Sequence, residues 1–389
     1  MQKAPVNENR YIPAFFLSSA ITAAISPYLA ILLRDLGYST IMVGIFLGIF
    51  EGAGIAGPLA FGYLADKSNK YRLLLVICCM VVALTAFPLA LLINPLGSVL
   101  LLVLMAFCFK ATISLLDAAT TIQIGTTGNY GKIRVWGSIG YVAAMFYLQW
   151  TPFFKPVNAV HIAFWITALS LAAVIPIFIM PKTSGRVSIS EGKPPEFHLG
   201  KKIISVYFVI GFLLIFLSRF AMTSFYTYFP LYLTEVVQWN AVGLIFGLSA
   251  ASEIPFVFFS NRIIRRFGPL PLLALSATAV CVRLLLLSVF PYKMVFIFAQ
   301  LLHSLCYGIF HPAAIEFFSR VFPPEKRGLG MSIYLALGTG LPTLISNMAG
   351  GVIVETQGYR PLLAIYAAVS GIAVLVYFGL CKKTVKVDN

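Results

Sequence analysis

With 389 residues, 60% of them hydrophobic and only 11% charged, the chain has more apolar surface than a soluble domain of its size can bury, so it reads as a polytopic membrane protein. Its formal net charge of +15 would suit a nucleic-acid partner, but the basic residues sit in short connections between apolar runs, where membrane topology explains them without nucleic acid. The six cysteines show no paired loop spacing, and Cys78, Cys79, Cys108, Cys281 and Cys306 lie within apolar runs, which argues against disulfides, a metal site or any cofactor.

Twelve apolar segments are predicted in chain order, near 11–33, 40–64, 73–93, 98–124, 134–151, 159–180, 203–233, 241–260, 270–290, 293–318, 328–353 and 361–381. The first is too long for a signal-peptide core and has no small-residue cleavage pattern, so it is read as a span. The second carries Glu51 about halfway along and runs into the loop GYLADKSNKYR, which holds Gly62, Asp66 and Arg72. The fourth contains both Lys110 and Asp117. A charge at the centre of a spanning helix costs at least about 2.5–3.5 kcal/mol, so each needs a partner or water. Seven helical residues place these two on nearly the same face but roughly 10 Å apart, too far for a simple pair. Each is therefore expected to find its partner on another helix. For Asp117 that partner is Arg134, which opens the fifth segment in YGKIRVWGSIGY, two residues before Trp136.

Pro181–Lys202 is the only long polar connection, and it divides the chain into an N-terminal bundle at 1–180, a linker at 181–202 and a C-terminal bundle at 203–389. Beyond it, the seventh segment holds Arg219 and the aromatic run Phe225, Tyr226, Tyr228, Phe229 and Tyr232. These rings can stack on a sugar, a nucleobase or an aromatic acid, or can simply pack as a stripe. VGLIFGLSA from Val242 echoes VGIFLGIFE from Val43, which suggests internal duplication with a substrate site between the repeats. Glu253, Arg283, His303 and His311 follow within apolar segments. Arg219 and Arg283 each have the planar fork that clamps a carboxylate or phosphate, and an ion pair between Arg283 and Glu253 is an equal alternative. Of the 28 lysines and arginines, only Arg34, Lys155, Lys293 and Arg360 fall in the opposite set of loops, and Lys110, Arg219 and Arg283 lie inside segments. That bias puts both termini in the cytoplasm.

The loop with Gly62, Asp66, Lys67, Lys70 and Arg72 resembles the G-x-x-x-D-[RK]-x-G-[RK]-x-R loop of the major facilitator superfamily, with Asn69 where glycine is usual. The resemblance implies that Gly62, Asp66 and Arg72 form a conformational latch, with Gly62 allowing close helix approach. The second-half loop NRIIRRFG lacks the acid. Within the superfamily the chain is similar to the branch holding the lactose and phenylpropionate permeases. Asp117 and Arg134 match the acid and arginine that grip sugar hydroxyls there, and Arg283 and His303 match that branch's arginine and histidine on helices nine and ten.

From this resemblance an all-α membrane protein is expected, with 12 transmembrane helices in two pseudo-symmetric six-helix bundles of the major facilitator fold. It would be a monomer in the cell membrane, of the bacterial inner-membrane kind, with a small-molecule substrate, protons and the lipid bilayer as partners. The implied function is proton-coupled symport of a sugar, nucleoside or aromatic acid by alternating access; an efflux carrier or lipid transporter of the same fold is the alternative. Substrate binding falls to Asp117, Arg134, Lys110, Trp136, Tyr226 and Arg219. Cys306 stands where lactose permease has its proton-carrying glutamate, and Glu253 lies about one turn beyond the expected eighth-helix acid. Proton coupling is therefore placed on Glu253 or Glu51, with Arg283 and His303 tuning Glu253. No nucleophile and base, nucleotide loop or metal cluster suggests an enzyme.

Overall fold

A computed structural model describes residues 8–124, 130–155, 157–181, 205–323 and 326–384 of the chain. Among these there are helices and no strands. They run α1 Ile12–Ile25, α2 Leu29–Asp35, α3 Thr40–Ser68, α4 Tyr71–Leu91, α5 Pro95–Ile124, α6 Tyr130–Trp150 and α7 Ala159–Ile179, then α8 Val206–Thr223, α9 Phe229–Leu231, α10 Val242–Phe267, α11 Pro269–Val289 and α12 Lys293–Phe298, and finally α13 Phe310–Val321, α14 Arg327–Ile333, α15 Leu341–Gln357 and α16 Tyr359–Thr384.

Helix starts and stops follow local chemistry. Ser39, Asn158 and Ser205 accept hydrogen bonds from the backbone N–H groups of Met42, His161 and Phe208, so the helices α3, α7 and α8 each begin on a side-chain cap. α3 ends at Asn69, whose φ of 56° lies in the left-handed region. That position is where the superfamily loop usually carries glycine, and asparagine is the residue that next best tolerates this conformation. Pro27 falls in the turn between α1 and α2, as expected of a kink.

Nine stretches among the described residues are long and apolar enough to cross a membrane, from Asn9–Asp35 to Tyr359–Leu380. The three other expected spans fall at α6, at α10 and across α12 to α13. Helix forms at each, but the charges that interrupt the apolar pattern there, Lys132 and Arg134 on α6 and Glu253, Arg262, Arg265 and Arg266 on α10, dilute it. By length and apolarity the described residues thus supply nine of the twelve expected spans.

The chain divides into two compact units, Met1–Glu191 with Ala241–Gly247, and Gly192–Asn240 with Leu248–Asn389. Within the first, α3 packs on α5, α1 on α6 and α7, and α4 on α5 and α7. The opening turn of α10 belongs with this unit, where the Leu244 N–H donates to Gln149 Oε1 of α6 over 3.1 Å. Within the second, α8, α11 and α16 pack together and α15 joins α8, around a core that includes Leu214, Ile215, Phe310, Phe317 and Tyr334. The predicted linker at 181–202 lies, beyond Pro181, outside the described residues.

Four stretches of wider, π-helical winding interrupt the second unit: Ser224–Tyr228, Tyr232–Val236, Ser304–Ile309 and Tyr334–Gly340. Such turns insert a residue into the helical register and rotate the side chains beyond them, and they recur at functional sites.

Candidate functional site

In the first unit, α3 and α5 approach closely because a Cβ on Gly57 would collide with the Phe107 carbonyl. One turn away, the bare Gly54 leaves room for the stem of Lys110, whose Cγ would lie 2.7 Å from a Cβ there. Lys110 thereby reaches across to Glu51, with Nζ 3.0 and 3.1 Å from the two carboxylate oxygens. The Phe50 and Phe109 rings lie 5.8 and 5.9 Å from the same ammonium. Lys110, expected at the substrate, and Glu51, expected at the proton, are therefore partners of one another.

Farther along α5, Asp117 meets Arg134 of α6, Nε to Oδ1 at 3.5 Å. Tyr130 donates its hydroxyl to the same Oδ1 over 2.6 Å, and the guanidinium stands 5.8 Å from the Phe15 ring. The expected pairing is present. Tyr130 is a member that sequence reasoning misses, although its place at the head of the YGKIR segment is an available signal. Trp136 is not brought to this pair: two residues turn it about 200° around α6, and it is 37% exposed.

The second unit builds its cluster around Arg283 on α11, which is 2% exposed. Its Nη1 lies 2.6 Å from His303 Nδ1, and its Nη2 donates to Gln300 Oε1 and, over 3.3 Å, to Ser249 Oγ. Phe225 offers its ring face to the guanidinium at 3.7 Å. A guanidinium has no acceptor, so Nδ1 must be the accepting nitrogen and the ring proton sits on Nε2. That nitrogen is 2.6 Å from Glu253 Oε1 and 3.4 Å from the Tyr226 hydroxyl. Arginine and glutamate are thus joined through a neutral imidazole rather than as the direct ion pair considered from the sequence. Gln300 and Ser249 also escape sequence reasoning. A glutamine three residues before His303 inside an apolar run is the signal for the first; a lone serine gives none.

Arg219 on α8 stands 5.8 Å from the face of Tyr307. The rings of His303, Tyr307 and His311 form a column, 6.0 Å between successive centroids and within 4° of parallel. His311 Nδ1 closes it with a 2.8 Å contact to the Tyr334 hydroxyl. Cys306 is buried at 1% exposure.

The expected latch residues do other things in this state. Asp66 accepts a hydrogen bond from the Tyr71 hydroxyl, and Arg72 Nη1 donates to the Phe178 and Met180 carbonyls at 3.0 and 3.3 Å, capping the end of α7. A Cβ on Gly62 would meet nothing within 4 Å, so close helix approach in α3 belongs to Gly57 and not to Gly62.

The model of the MFS_1 like family matches residues 10–364. An uncharacterized transporter, YwbF, of Bacillus subtilis (strain 168) is 28% identical over 390 residues, covering 97% of this chain and 92% of that protein. The maltose permease of Geobacillus stearothermophilus is 26% identical, with 96% and 93% covered. Among solved structures, the crystal structure of the nucleoside transporter NupG aligns with a TM-score of 0.78 at 18% identity, covering 97% of this chain and 100% of that one.

Proposed function

The chain belongs to the MFS_1 like family of membrane transporters, and from that premise we propose that it is a proton-coupled symporter of a small polar or amphipathic organic solute, working by alternating access. The observation that carries the reading is the chain from Arg283 through His303 to Glu253 in the second unit. Ionisable groups inside apolar helices are expensive and mark the paths of substrates and ions.

The division of labour follows from exposure. The Glu253 side chain is 20% exposed and His303 only 4%, so Glu253 is the member that water-borne protons reach. Arg283 cannot give up its proton, and by donating to Nδ1 it keeps His303 from taking a second one. Protonation therefore falls on the carboxylate, and it removes the charge that holds the imidazole N–H. In the first unit, Asp117 with Arg134 and Tyr130 presents a polar set that can orient a solute's hydroxyl or amide groups, while the Lys110 and Glu51 pair neutralises itself. Glu253 is accordingly preferred to Glu51 as the coupling residue.

Uptake into proteoliposomes tests this. Wild-type protein should accumulate its solute only under an inward proton gradient, and Glu253→Gln should still exchange solute but no longer accumulate it. Full gradient-driven accumulation by that variant would remove Glu253 from the coupling step. Both termini are expected on the cytoplasmic side of a cell membrane.

A further inference from the structure

Building on the transporter reading, we propose that the solute is a small organic monocarboxylate held by Arg219, rather than a neutral sugar or nucleoside. Among the described residues, the charged side chains within the apolar segments have an ionic or hydrogen-bonding side-chain partner except at this position. Lys110 has Glu51, Arg134 has Asp117, and both Nη atoms of Arg283 have partners in His303, Gln300 and Ser249, although its Nε, like that of Arg219, is buried without an acceptor. Arg219 makes no ion pair and no side-chain hydrogen bond with any described residue, and its Nε is buried without an acceptor. Around the imidazole of His303, which is neutral, two guanidiniums, Arg219 and Arg283, share the carboxylate of Glu253 as their counter-charge. One positive charge is left over.

A charge left uncompensated inside a membrane segment is unfavourable unless a ligand supplies the counter-ion. A carboxylate fits in number and in shape, since its two oxygens match two donors of the guanidinium fork. Sugars and nucleosides offer hydroxyls and amides and would leave the surplus in place. The surroundings define the rest of the ligand. Arg219 lies over the middle ring of the column His303, Tyr307 and His311, and Arg219, Tyr226, Tyr307 and His311 are all incompletely buried. A flat organic body with a carboxylate at one end has ring faces to lie against and a guanidinium to end on.

Calorimetric titration of the protein in nanodiscs tests this with matched probes: benzoate, 3-phenylpropionate and butyrate, each beside its uncharged amide, together with maltose and uridine. At least one carboxylate should bind ten or more times tighter than its amide. Arg219→Gln should reduce that ratio to about one, and Arg219→Lys should keep part of it. The idea is overturned if no carboxylate binds, if the amides bind equally well, if maltose or uridine binds more tightly than any acid, or if Arg219→Gln retains the preference. The wild-type comparison decides the matter without any variant that must fold. Exchange of the bound acid in proteoliposomes separates the two readings. An acid that binds but is not exchanged is a ligand and not the solute, which overturns the proposal and leaves the transporter reading standing, whereas absence of gradient-driven uptake of every solute would count against the symport reading alone.

Discussion

Arg283 shows how a buried cation is tolerated without a carboxylate beside it. Its two Nη atoms donate to an imidazole nitrogen, an amide oxygen and a hydroxyl, its face lies on Phe225, and only its Nε is buried without an acceptor. Gln300 is central to this, since its oxygen also accepts from Ser249 over 2.7 Å. Gln300→Leu strips an acceptor from a charged donor, a loss worth about 1.5–3 kcal/mol. Thermal unfolding in detergent should show a lowered Tm, and an unchanged midpoint would mean that another group takes over. Asp117 is different, because it and Arg134 are 35% and 40% exposed. Asp117→Asn should cost less than the about 3–5 kcal/mol of a fully buried pair, leave the protein inserted, and weaken solute binding at least tenfold. Wild-type affinity in a correctly folded Asp117→Asn protein would exclude the residue from the site. Tyr130→Phe removes only one of Asp117's partners and should fall between the two.

Among elements, the α3 to α5 contact and the π-helical turns position the chemistry. At Gly57 the obstacle to a side chain is the Phe107 backbone carbonyl, which cannot swing away as a flexible side chain would. Gly57→Ala should therefore destabilise the first unit by about 1–3 kcal/mol and separate Lys110 from Glu51. Gly62→Ala, five residues on in the same helix, faces open space and should be neutral, or gain the roughly 0.5–1 kcal/mol that alanine has over glycine in a helix. Equal effects of the two substitutions on Tm would contradict this account of the packing. In the second unit, Phe225, Tyr226, Cys306, Tyr307 and Tyr334 all lie in π-helical stretches. A straight 3.6-residue helix drawn through these segments would aim their side chains differently, which is why the aromatic run after Arg219 also reads as a packing stripe.

For the whole molecule, charge placement sets the plan. Among the described residues, each half brings its own polar groups within apolar segments, paired twice over in the first unit and joined through His303 in the second. The basic loops predict that the linker between the halves is cytoplasmic. A single cysteine at Ser188, introduced after replacement of the six native ones, should react with a membrane-impermeant maleimide only once the cells are permeabilised. Labelling in intact cells would reverse the topology.

While the superfamily loop was read from resemblance, composition and spacing alone determined the membrane class, the run of apolar segments and the match of Asp117 to Arg134. These rest on period and on charge cost, which are properties of the chain itself. The sequence also located Glu51, Lys110, Glu253, Arg283 and His303, because a charge or an imidazole inside an apolar run stands out wherever the helix goes. Tertiary structure alone decided who meets whom. Lys110 turned to Glu51 because Gly54 and Gly57 let two helices close. His303 came between Arg283 and Glu253, and Arg72 capped α7. Arg219 was left without an ion-pair partner among the described residues. Pairing depends on helix rotation and approach distance, which glycines and π-helical turns set by a fraction of a turn, and no linear spacing encodes a difference that small between residues far apart in sequence.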